Sequence, residues 1–227
     1  MVVDIRFSSV ILAGGESKRL GRYKPTVKLL DKPLLLYVID ALLPISREVI
    51  IVLKNSMQRV FLADFIEKLN SPKIRFTYDV SGINGILAGV KAGLQASKES
   101  AVFLTGCDLP LMNSKVVELI MSNLIKLNVN AVVPMWNNGF IEPLYAGYMV
   151  SPTLRAVDEA INFGEKSFRD LLKRLNVNYL SAEQLVDVAG CQTFLNINSQ
   201  EDLHLAERLL LTSSSMSCDD TDYISIS

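Results

Sequence analysis

Short apolar runs rich in β-branched residues alternate along this chain with segments whose apolar residues recur every three or four positions, and that alternation restricts the fold more than any other feature. The runs at 9–13, 49–53, 74–78 and 101–105 have the length and composition of strands, and each is followed by a segment of helical period. Strands joined through helices pair in parallel, because such a crossover returns the chain to the same end of the sheet. The expected architecture is α/β, a mostly parallel sheet with helices on both faces.

Two helices are legible in detail. Val116, Ile120, Leu124 and Leu127 form one apolar stripe behind a Ser114 N-cap, and Leu203, Ala206 and Leu210 form another behind Ser199 with Asp202 three residues on. Both stripes are expected to pack on the sheet. From about residue 130 the pattern loosens into runs at 131–134 and 143–150, a helical stretch ending near Leu175, and a short run at 177–180, which suggests an insertion or lid. With 227 residues, 49% of them hydrophobic, the chain is long enough for one well-filled domain, expected over 1–211. Residues 212–227 are Ser- and Asp-rich and cannot bury enough apolar surface to offset their ordering entropy, so a flexible tail is expected there.

Composition narrows the function. A formal net charge of −1 argues against a broad nucleic-acid-binding face, which needs clustered positive charge. No apolar run approaches the length of a membrane span, and the amino-terminal residues, with Asp4 and Arg6, are unlike a secretory leader, so a cytoplasmic protein with a small-molecule substrate is expected. Cys107, Cys191 and Cys218 have no metal-ligand spacing and are expected to be reduced thiols. His204, the only histidine, lies in the last candidate helix and receives no role.

Ligands of open parallel sheets bind beyond the carboxyl ends of the strands, and four of these strands run out into Gly14-Gly15, Asn55, Asp79 and Asp108. Loops favour Gly, Asn and Asp for turn geometry alone, so the set carries weight only together. The first loop, Leu12-Ala13-Gly14-Gly15-Glu16-Ser17-Lys18-Arg19-Leu20-Gly21-Arg22-Tyr23-Lys24, joins glycines that let backbone N–H groups approach phosphates to cations that neutralise them. It has neither the Gly-Lys-Ser/Thr ending of a Walker A loop nor the Gly-x-Gly-x-x-Gly dinucleotide fingerprint. Asp108 ends an apolar strand and offers the hard oxygen that Mg²⁺ prefers, although an Asp at a strand end could equally serve an Asx-turn. Cys107 beside it reads as a small packing residue, since no base is recognisable nearby.

These residues resemble the molybdenum cofactor guanylyltransferases, over about residues 8–210. Leu12-Ala13-Gly14-Gly15 with Arg19, Gly21 and Lys24 is similar to the family's signature loop, with Tyr23 standing where an aspartate usually precedes the lysine. Asp79 with Gly85-Ile86-Leu87-Ala88-Gly89 resembles an Asp followed by Gly-Pro-Leu-Ala-Gly, and Gly106-Cys107-Asp108-Leu109-Pro110 resembles the Cys-Asp-x-Pro metal loop. Glu142-Pro143-Leu144-Tyr145 is similar to the acceptor-side segment, and Phe194-Leu195-Asn196-Ile197-Asn198 with Glu201-Asp202-Leu203 resembles the Phe-x-Asn-Ile-Asn ending. Ile86 and Gln200 replace prolines of the family pattern.

The resemblance implies a Rossmann-like, nucleotide-diphospho-sugar transferase-like fold and transfer of GMP from GTP to the terminal phosphate of molybdopterin. It implies nucleotide contacts from Leu12, Ala13, Gly14, Gly15, Lys24, Asn55, Asp79 and Asp108, catalytic roles for Arg19, Lys24 and Asp108, and Mg²⁺ held by Asp108. Asn198 would be a second metal contact, with Asn196 competing for that place. Proteins that deliver the acceptor would be further partners. An aspartate at 79 facing the N1–H and exocyclic amine of guanine would present acceptors that adenine cannot use. Trp136 and Tyr145 could stack on a pterin or simply fill the core. Related transferases using CTP, a cobinamide phosphate or a sugar phosphate are the nearest alternatives, and a non-catalytic nucleotide-binding module is the alternative of another class. Lys28 shares the basic stretch but lies outside the matched pattern.

Overall fold

The computed structural model describes residues 5–15, 22–67 and 69–212. Arg19, with Glu16, Ser17, Lys18, Leu20 and Gly21, lies outside the described residues, as does the tail beyond Thr212.

Seven strands form one sheet. β1 (Ser8–Leu12) leads through a hairpin of β2 (Lys28–Leu29) and β3 (Lys32–Pro33) into α1 (Leu34–Leu42), followed by β4 (Glu48–Leu53), α2 (Ser56–Glu67), β5 (Ile74–Tyr78), α3 (Ile86–Ala96), β6 (Ala101–Gly106) and α4 (Ser114–Lys126). The second half comprises β7 (Ala131–Met135), β8 (Tyr145–Met149), α5 (Val150–Asn162), α6 (Phe168–Leu172), β9 (Val177–Ser181), α7 (Ala182–Ala189) and α8 (Gln200–Thr212). The sheet order is β5-β4-β1-β6-β8-β7-β9, with β5, β4, β1 and β6 mutually parallel and β8 antiparallel to both of its neighbours. The fold is thus α/β and mostly parallel, as the alternation predicts.

The strands alternate their side chains between two cores. Ile11, Val49, Ile51 and Phe103 face α1, α2 and α4, while Val10, Ile50, Val102 and Leu104 face α3, α5 and α6. Both faces of β4 and β6 are completely buried, which explains their near-continuous apolar sequence.

Three expectations about the elements change. The second half is no lid: β7, β8 and β9 extend the same sheet, and the pattern loosens because β7 and β8 pair antiparallel without an intervening helix. The N-cap of α4 is Asn113 rather than Ser114, since the Asn113 side chain accepts from the Lys115 N–H at 2.9 Å. The α8 stripe packs on the β2–β3 hairpin rather than on the sheet. Leu203 and Ala206 close a third core with Val27, Leu29, Leu34, Leu195 and Ile197, whereas Leu210 and, on α4, Leu127 are exposed.

Cys107 is a buried free thiol, but Cys191 is disulfide-bonded, against the expectation of a reduced thiol. Among the described residues no helix is long and apolar enough to cross a membrane.

Candidate functional site

The carboxyl edge of the parallel strands gathers the candidate residues in a row. Asp79 follows β5, Asn55 lies two residues past β4, Gly14 and Gly15 follow β1, and Asp108 follows β6. Because adjacent strands lie about 4.8 Å apart, the row from Asp79 to Asp108 spans roughly 14 Å, a nucleotide-sized run with a carboxylate at each end.

At the β6 end three residues converge. The Lys24 ammonium donates to Asp108 Oδ2 and to Asn198 Oδ1, each at 2.6 Å, with side-chain exposures of 16% for Lys24 and 20% for Asp108. Each member is fixed locally. Lys24 opens a 3-10 turn containing Pro25, held by Thr26 N–H and Oγ1 donating to the Tyr23 carbonyl. Asp108 curls back over Gly106, where a Cβ would lie 2.3 Å from Asp108 Oδ1, so any larger residue there would displace the carboxylate. Asn198 is tied from both sides. Ile197 N–H donates to the Asp108 carbonyl at 2.9 Å, and Asp202 Oδ2 accepts from the Asn198 and Ser199 N–H groups at 2.8 and 2.7 Å. Ser199 returns a bond to Asp202 N–H, completing the capping box of α8. Asn196, the competing position, bonds only locally, to the Phe194 carbonyl.

The glycine loop sits beside this cluster. Ala13 N–H continues the β1 ladder to the Val52 carbonyl, and Gly14 lies so close to Lys54 that a Cβ would meet its backbone nitrogen at 2.8 Å. Gln58, which the sequence reading did not single out, bridges the two loops. Its Oε1 accepts from Lys54 N–H at 2.7 Å and its Nε2 donates to the Gly14 carbonyl at 3.1 Å. A signal existed: Asn55-Ser56-Met57-Gln58 has the spacing of a capping box, and Asn55 Oδ1 does accept from Gln58 N–H at 3.2 Å. That bond commits the Asn55 oxygen to the start of α2.

Asp79 is half-buried, and burial raises its carboxyl above the ordinary value against the opposing effect of Lys54. Glu142 is also raised by burial, although the Trp136 indole N–H donates to it at 3.0 Å, and the Asp108 charge pushes it in the same upward direction. Trp136 and Tyr145 are core residues. Trp136 packs edge-on against Phe194, and Tyr145 packs on Phe103 and Phe194 with its hydroxyl 2.8 Å from Thr193 Oγ1. Burial pushes the Cys107 thiol far up, so it stays protonated. Lys28 is exposed on β2.

Two oxygens aimed at one positive centre, beside a glycine loop at the end of a parallel sheet, form an edge suited to a nucleoside triphosphate. Residues 9–179 match the MobA-like NTP transferase domain, and the chain belongs to that family. It is 32% identical over 195 residues to a probable molybdenum cofactor guanylyltransferase of Thermococcus gammatolerans, covering 85% of this chain and 95% of that one. The structure of molybdopterin-guanine dinucleotide biosynthesis protein A from Archaeoglobus fulgidus superimposes with a TM-score of 0.77 at 26% identity, covering 91% of this chain and all of the other. The fold alone is shared with 4-diphosphocytidyl-2C-methyl-D-erythritolsynthase from Anaerococcus prevotii, at a TM-score of 0.70 and 16% identity.

Proposed function

We propose that this chain transfers GMP from GTP to the terminal phosphate of molybdopterin and releases pyrophosphate, acting in the cytoplasm. The observation that carries the reading is the convergence of Lys24, Asp108 and Asn198 beside the Gly14-Gly15 loop in a chain of this family. Guanine would lie toward Asp79 and the phosphates toward Lys24.

A terminal phosphate monoester, with its second pKa of about 6, is largely dianionic near neutral pH and needs no protein base. In the reaction an acceptor oxygen bonds to the α-phosphorus as the bond to the pyrophosphate oxygen breaks, and the electron pair leaves with pyrophosphate. The chain's work is alignment and charge. Backbone amides of the glycine loop hold the phosphates, and the Lys24 ammonium meets the charge that develops on the leaving group. Asp108 and Asn198 suit Mg²⁺ chemically, because a carboxylate and an amide oxygen already bracket a cation and a magnesium site needs few protein ligands beside phosphate and water. When bound, Mg²⁺ supplies positive charge to the phosphate oxygens.

The experiment is acceptor-dependent pyrophosphate release from each of the four nucleoside triphosphates, paired with thermal-shift measurements in Mg²⁺. GTP is expected to give turnover and the largest stabilisation. Equal stabilisation by all four would remove the guanine assignment, and tight GTP binding without release would leave a binding module.

A further inference from the structure

We infer that Tyr23 and Gln58 are positioning residues that clamp two successive carbonyls of the glycine loop so that the following amides are held ready for phosphate oxygens, an inference that rests on the nucleotide reading above. The Tyr23 hydroxyl donates to the Ala13 carbonyl at 2.8 Å, and Gln58 Nε2 donates to the Gly14 carbonyl at 3.1 Å. In a trans peptide the N–H points opposite to the carbonyl that precedes it, and no cis peptide occurs among the described residues. Holding the Ala13 oxygen therefore turns the Gly14 N–H away from Tyr23, and holding the Gly14 oxygen turns the Gly15 N–H away from Gln58. Gly15 is exposed, and among the described residues no atom lies within 4 Å of where its Cβ would stand.

Both clamps are braced by one helix. Gln58 and Phe61 are three residues apart on α2 and share a face. Gln58 ties Gly14 to the Lys54 N–H, and Phe61 packs against the Tyr23 ring with centroids 6.2 Å apart. Tyr23 also precedes Lys24, and its backbone carbonyl accepts from Thr26, so the residue whose hydroxyl holds the loop also anchors the turn carrying the ammonium. Burial keeps the Tyr23 phenol protonated well beyond its ordinary range, and it remains a donor at any working pH.

The need for clamps follows from the sequence. Two adjacent glycines have more backbone freedom to lose than any other pair, and ordering them at the moment of binding would be charged against affinity. Side chains that order them beforehand move that cost into folding, the advantage of preorganised donors.

The test measures affinities of the full chain, in Mg²⁺, for GTP, inorganic tripolyphosphate and guanosine, with Tyr23→Phe and Gln58→Met as variants. Each variant is expected to weaken GTP and tripolyphosphate about fivefold, the usual effect of one lost hydrogen bond, and to leave guanosine unchanged. The double variant should lose less than the product of the single losses, because both act on one loop. Wild-type affinity for both phosphates in the two variants, or a parallel loss of guanosine, would overturn the clamp. A wild-type chain that binds tripolyphosphate but shows no preference for GTP defeats the guanine assignment instead, and the clamp is then judged on tripolyphosphate. A wild-type chain that binds neither defeats both.

Discussion

The sheet carries a carboxylate cluster at each end, buried around Glu48 and partly exposed around Asp108, and the two differ in how the oxygens are used. At the amino ends of the strands, Glu48 accepts from Ser8 Oγ at 2.9 Å and Lys98 N–H at 2.7 Å on one oxygen, and from Arg75 at 2.6 Å on the other. Burial alone would raise this carboxyl, but the Lys98, Arg75 and Ser8 donors outweigh it and hold it below the ordinary range. At the carboxyl ends, Asp108 gives one oxygen to Lys24, which is shared with Asn198, and the cluster opens toward the glycine loop. Glu48 has its needs met by the protein itself, and its donors come from β1, β5 and the end of α3, so it staples elements together. Asp108 is matched to a single side-chain cation, the Lys24 ammonium, whose other partner is a loop amide, so its interactions join loops rather than the strands of the core.

The largest effect should come from Asp108→Asn, which keeps shape and removes charge. Transfer is expected to fall by at least about a hundredfold, corresponding to roughly 3 kcal/mol of lost charge stabilisation. The ligand-free melting temperature should stay near that of the wild type. Pyrophosphate release across a magnesium titration measures the first quantity, with partial recovery at high Mg²⁺ expected. A wild-type rate and magnesium dependence would make Asp108 another Glu48 and erase the contrast.

Glu48→Ala is the converse. It leaves Ser8, the Lys98 N–H and Arg75 without their acceptor, and breaking a buried pair in this way costs about 3–5 kcal/mol. Arg75, whose side chain is 38% exposed, can turn to water, so the lower end, about 3 kcal/mol, is expected in denaturant unfolding. The transfer rate of the folded fraction should be unchanged. The pH signature has a definite sign. A carboxyl depressed by folding contributes stability that is present above its unfolded value and lost as pH falls through the folded one, so this contribution disappears below the ordinary value of 4.5. Glu48→Gln should flatten that acid limb.

What was legible in the sequence follows from the range of each interaction. The four parallel strands were readable to within a residue or so because strand patterns are local, and Gly14, Asp79 and Asp108 stood out because each interrupts such a pattern. Nothing local shows that β8 lies between β6 and β7, since that order depends on pairing across distant segments. Gln58 was missed for the same reason: its partner Gly14 is 44 residues away, and glutamine in a helix is unremarkable by composition. Lys24 is 84 residues from Asp108 and 174 from Asn198, and the three were proposed together only through the motif resemblance. Glu48 and Arg75 are 27 residues apart, and nothing local marks them as partners. The N-cap of α4 was misplaced by one residue because Asn and Ser are equally good caps and adjacent here.

The smallest expected effect belongs to Asp79, which lies between the two cases and separates them most finely. Its carboxyl is raised by burial, with Lys54 only partly offsetting the shift, so unlike Glu48 it has no hydrogen-bond donor among the described residues that holds it down. The sign is therefore reversed. Between the ordinary value of 3.8 and the raised folded value, the folded chain holds more of the proton than the unfolded one, and this group's contribution to stability falls as pH rises. Asp79→Asn should remove that decline and leave the ligand-free protein equally or slightly more stable, by less than about 1 kcal/mol given the group's exposure. If guanine donates its N1–H and amine to this carboxylate, binding favours the charged form. GTP affinity of the wild type should then weaken as pH drops through the raised value, and that of Asp79→Asn should not. Discrimination of GTP over ATP should also erode in the variant, by roughly the 1–3 kcal/mol of a lost buried polar partner. Calorimetric titration of both nucleotides across pH decides it. A variant that is destabilised without ligand, yet keeps wild-type discrimination, would place Asp79 with Glu48 as a staple and move base recognition elsewhere on the edge.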